Sequence, residues 1–98
     1  MNEINLFLGI AAVAKGNELD YPIGERHAFL VFSRQPGGSE PDWNLAESHV
    51  QRAGWSDIEF EKASTLDPSA LDLEPSARAS YDAAMANGSA IIVYSDPV

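Results

Sequence analysis

Apolar positions along the chain recur in two different periods, and the switch from one to the other falls between Asp42 and Glu61. Trp43, Ala46, Val50 and Ala53 come at helical spacing, Gly54 stands where a left-handed C-cap is wanted, and beyond it Trp55, Asp57, Glu59 and Glu61 alternate with Ile58 and Phe60. A helix therefore feeds a strand through a tight glycine turn. That is half of a crossover unit, and it points to the α+β class.

The same patterns divide the rest of the chain. Ile4 to Val13 is rich in β-branched and aromatic side chains and predicts a strand. Lys15 to Glu25 carries glycine, proline, Asn and Asp, which is the chemistry of a wide loop. His27 to Arg34 predicts a second strand that is apolar on both faces, with Phe29 and Val31 on one and Ala28, Leu30 and Phe32 on the other, so that it must be covered on both sides. Prolines and glycines between Gln35 and Pro41 end it, and Ser39 or Asp42 is the N-cap of the helix that follows. Trp55 to Glu61 is the third strand, with an apolar face of Ile58 and Phe60 and an acidic face, which suits a sheet edge. Thr65 to Glu74 reads as a loop with a helical turn at Pro68 to Leu71, Ser76 to Asn87 as a second helix stopped by Asn87-Gly88, and Ala90 to Tyr94 as a last strand apolar on both faces.

The order is ββαβαβ in a single domain spanning residues 1–98. With right-handed crossovers, strands two, three and four are expected to be parallel and strand one antiparallel at a side, giving a two-layer α/β sandwich with a mixed four-stranded sheet and both helices on one face. That arrangement leaves a mismatch. The second faces of strands two and four are apolar and call for a cover: the loop around Tyr21 to Ile23, the segment Leu66 to Leu73, or a second copy of the chain.

Composition narrows the function classes. Fifteen acids against six bases give a net charge of −9, and the bases lie singly along the chain, which argues against direct contact with nucleic acid or an anionic membrane. The uncharged run from Ile4 to Ala14 is too short to cross a bilayer, and Glu3 sits where a signal peptide would carry a base, so the cytoplasm is the expected location. Absence of cysteine removes disulfides, thiolate metal sites and cysteine nucleophiles, and fits a reducing compartment.

Candidate chemistry is sparse. Gly37-Gly38 lies between a strand and a helix, as a phosphate loop would, but lacks the Walker lysine and reads as a turn. His27 and His49, with Asp57 or Glu59, match no metal-ligand spacing, and no serine stands in a nucleophile elbow. No cofactor is implied and an enzyme is not indicated. The reading that remains is a small acidic protein acting through association with another protein or with itself. Phe29, Val31, Ile92 and Tyr94 are the apolar contact candidates, Trp55 is an aromatic one, and Asp57, Glu59 and Glu61 form an acidic row. Two alternatives stand beside it: a small enzyme or ligand-binding domain of unrecognised type, and an acidic inhibitor that mimics nucleic acid on a basic partner.

Overall fold

The computed structural model describes residues 1–66 and 75–98, so the helical turn expected at Pro68 to Leu71 lies outside the described residues. The elements are β1 (Asn2–Val13), β2 (Arg26–Pro36), α1 (Trp43–Arg52), β3 (Trp55–Leu66), α2 (Pro75–Asn87) and β4 (Ser89–Pro97). The α+β class and the order ββαβαβ are those read from the periodicity. Asp42 is the cap of α1, its carboxylate accepting from the Leu45 amide at 3.0 Å. Gly54 adopts φ +95° just past the helix, as the junction required.

Two features of the sheet differ from expectation. It is wholly antiparallel, not mixed, with strand order β3-β1-β2-β4. The β1 and β2 strands zip together from Asn2↔Pro36 to Ala12↔Arg26, which occupies the centre and leaves only the two outer positions for β3 and β4. The β2 and β3 strands do run in the same direction, but β1 lies between them. The second difference is that the helices cover opposite faces. The Ala46 and Val50 side chains of α1 pack on Phe7, Ala11, Val13, Phe29 and Val31, whereas Tyr81 and Ala84 of α2 pack on Ile4 and Phe32. Successive strand residues point to opposite faces, so these two sets lie on the two sides of the sheet. The reason lies in the central strands, which are apolar on both faces and need a cover on each.

The β3 strand departs from simple alternation. Its pairing with β1 shifts register twice, between Ile10 and Ala12 and between Leu8 and Gly9. Each shift inserts an extra residue and resets the parity. Trp55, Phe60 and Ala63 thereby all join the α1 face opposite Val13, Gly9 and Phe7. Gly9 marks the tightest approach in this region, since a Cβ there would lie 2.6 Å from the Glu59 carbonyl oxygen and 2.8 Å from the Phe29 ring.

Polar side chains fasten the helices at their ends. Gln35, buried at the end of β2, donates from Nε2 to the Glu40 carbonyl at 2.7 Å and accepts from the Asp42 amide at 3.0 Å, fixing the turn that launches α1. On the other side Arg34 donates to the Met85 carbonyl of α2 at 2.8 Å, satisfying one of the acceptors a helix leaves open at its C-terminus.

Candidate functional site

The two faces are closed to different extents. On the α1 face Phe7, Phe29 and Val31 are fully buried, and Trp43 lies edge-on to Phe7 with ring centroids 5.2 Å apart. On the α2 face closure stops partway. Tyr81, Ala84 and the flanking Ala77 and Met85 cover the end of the sheet that carries Ile4, Phe32 and Leu66. Beyond them Leu8, Ile10 and Ala28 belong to neither core cluster and remain partly exposed among the described residues. Tyr94 at the rim is 47% exposed. Leu6, Leu8, Leu30, Lys62, Ser64 and Tyr94 enclose a hollow of about 260 Å³ on this surface.

The eight candidates named above separate on these faces. Phe29, Val31 and Trp55 lie in the core beneath α1, so in the single chain they present no contact surface. The α1 helix is what covers Phe29 and Val31, where a loop or second chain was expected. Trp55, read from its parity as an aromatic contact, is 4% exposed and with the parity reset in β3 anchors that strand beneath α1. Ile92 and Tyr94 lie on the α2 face with the open patch. Asp57, Glu59 and Glu61 do not form one row. Glu59 holds ladder register opposite Ile10 and pairs with Arg26 at 2.6 Å, while Asp57 sits at φ +48° and Glu61 falls in the second register shift. All three are exposed.

The periodicity did not reveal the buried His27. Its Nδ1 lies 2.8 Å from the Tyr94 carbonyl oxygen and its Nε2 lies 2.7 Å from the Glu25 carboxylate. Which of the two nitrogens donates depends on the tautomer of the ring. Tyr21 stacks on the ring at 4.1 Å and Trp55 meets it edge-on at 5.9 Å. The side chain thus ties the β1–β2 loop to the outer strand β4. The signal available in sequence was Glu25 two residues before His27, a spacing that shares a face in a strand. With both ring nitrogens engaged, His27 is a bracing residue and not a free ligand. Among the described residues no group of three His, Asp or Glu side chains is placed to hold a metal ion.

A second hollow, about 320 Å³, lies on the α1 face between the loop Gly16–Leu19, Arg52, Ala53 and Trp55, and the β4 residues Ile91 and Val93. Glu18 and Arg52 are the charged residues in its lining, which supplies no paired carboxylates and no nucleophile beside a base. His49, half-buried on α1, has its pKa lowered from the ordinary 6.5, first by burial and then by the Arg52 cation one turn on, and its Nε2 lacks a hydrogen-bond partner among the described residues. The unfolded chain therefore takes up the proton first, and stability falls as pH drops below the ordinary histidine value. Replacement His49→Gln is expected to flatten that part of the stability profile. Urea unfolding between pH 7 and pH 5 checks it, and an unchanged slope in the variant would assign the dependence to other groups.

No helix among the described residues is long and apolar enough to cross a membrane. No protein-family model matches the chain, and comparison with curated proteins and with solved structures likewise returned no match.

Proposed function

We propose that the protein acts by associating with another protein chain in the cytoplasm, and that the contact surface is the open half of the α2 face around Leu8, Ile10, Leu30, Ile92 and Tyr94. The single observation that carries this reading is the incomplete cover among the described residues: α2 seals one end of an apolar sheet face and leaves large side chains partly exposed at the other, Tyr94 the most. Contiguous apolar surface of this kind is characteristic of contact sites, whereas scattered exposed side chains are not. Tyr94 contributes an aromatic body with a polar tip, the type of side chain that anchors interfaces. On the β3 side the patch is bordered by charge, with Lys62 opposite Leu8 and with Glu59 opposite Ile10 and paired to Arg26.

The double variant Leu8→Lys with Tyr94→Lys tests this directly. Both side chains are already partly in water, so the expected stability cost is about 1 kcal/mol, well below that of a core substitution. Wild-type and variant proteins, immobilised at equal density, are compared for what they retain from an extract of the native host. A chain held by the wild type and lost by the folded variant supports the surface. Equal retention by both removes it.

A further inference from the structure

The two edges of the sheet are built differently. At the β3 edge two register shifts, a residue at φ +48° and the charges of Asp57, Glu59, Glu61 and Lys62 obstruct pairing with another strand. The β4 edge carries one such device, a register shift past Val93, and none from Ser89 to Val93. Ser89 to Ser95 carries no charge, Asp96 and Pro97 come only at the end, and the register with β2 is unbroken from Ser89 to Val93. Its backbone directions follow from the ladder. The Arg34 amide donates to the Gly88 carbonyl at 2.9 Å, and hydrogen-bonded pairs alternate in an antiparallel ladder, so Ala90 and Ile92 turn their backbone groups toward β2. Ser89, Ile91 and Val93 turn theirs outward, where no strand pairs with them among the described residues.

We propose that this edge pairs antiparallel with β4 of a second copy of the chain, about a two-fold axis at Ile92. Ile92 then faces its own equivalent and Ile91 faces Val93, all within the stretch of β4 whose register is unbroken. Each of these contacts is apolar. The axis also satisfies the backbone, because the outward-turned Ile91 of one copy meets the outward-turned Val93 of the other and they exchange both hydrogen bonds. A second copy is the occupant that brings an equally uncharged, apolar stretch to this edge, while the acidic edge of each copy ends up on the outside. The isologous contact closes at two copies, and the guarded β3 edges stop further growth. Since each chain carries a net charge of −9, pairing is expected to strengthen with added salt. The proposal rests on the association reading above in that the partner is a protein chain, and it adds which chain and which edge.

Sedimentation velocity at increasing concentration tests it. The wild type is expected to shift from monomer to dimer. Val93→Pro removes an outward amide while leaving the ladder to β2 intact, a position an edge strand tolerates, and is expected to lose the dimer with its circular dichroism unchanged. Should that variant fold poorly, Val93→Lys keeps the amide but places a cation on each side of the axis, with the same expected loss. Leu8→Lys, away from the edge, is expected to retain the dimer. A wild type that stays monomeric throughout, or a dimer that survives both Val93 variants, overturns the edge pairing. If that surviving dimer is instead lost in Leu8→Lys, the open face holds and only the edge falls. Equal retention in the capture experiment removes the face and leaves the edge standing.

Discussion

Truncating Phe7 to alanine is expected to cost about 3–5 kcal/mol, a large share of the about 5–15 kcal/mol that holds a whole domain together. Phe7 is fully buried at the centre of the sheet, opposite Val31 on one side and Ala63 on the other. Its ring meets Trp43 at 5.2 Å and Phe60 at 5.6 Å, and Trp43 and Phe60 meet one another at 5.6 Å. The cluster therefore joins α1 to both β1 and β3, and removing its middle member leaves a cavity that rigid neighbours on three elements cannot fill. Urea unfolding followed by circular dichroism measures the loss. A cost below about 1 kcal/mol would mean that α1 is not seated on this face.

The second large effect is expected at Gly54. A Cβ there would stand 2.6 Å from the Cα of Asn17 and 3.0 Å from its backbone nitrogen, and the residue adopts φ +95°. The loop cannot easily yield, because the Asn17 side-chain amide donates to the Gly54 carbonyl at 2.8 Å and the Ala14 amide donates to the same oxygen at 2.9 Å. Backbone strain of about 1–2 kcal/mol adds to an overpacking cost of about 1–3 kcal/mol. Gly38→Ala is the control. It has φ +81° and nothing near its added methyl group, so it carries the backbone cost alone. The expected order of unfolding midpoints is wild type, Gly38→Ala, then Gly54→Ala, and equal midpoints for the two variants would contradict the close approach of the loop.

These two positions also show what could be read from the residues. The helix, glycine and strand at Ala53, Gly54 and Trp55 were legible because capping and periodicity are local. The apolar character of both faces of β2 was legible too, and it already signalled that one helical layer was not enough. Which helix went to which face was not, since α2 has weak polarity of its own and its placement depends on the ends of β1 and β2 being paired. The acidic row failed for a related reason. Alternation in β3 is interrupted where it meets β1, and a bulge is a property of the pair of strands that leaves no mark in one of them. Trp55 changed sides with it. His27 escaped notice because its partners come from Glu25 nearby and from the Tyr94 carbonyl 67 residues away, and only the first of these is visible in sequence. Ile92 lies on the α2 face within the stretch of β4 whose register is unbroken, and Tyr94 lines the same face past the shift that follows Val93.

The pairing of β4 can be followed most directly by amide hydrogen exchange, resolved by residue, at low and high protein concentration. Ala90 and Ile92, bonded to β2 within the chain, are expected to exchange slowly at both. The outward amides of Ile91 and Val93 are expected to exchange fast when dilute and to slow as the second copy takes them up. Amides at Ile91 and Val93 that stay equally fast at every concentration would contradict the account.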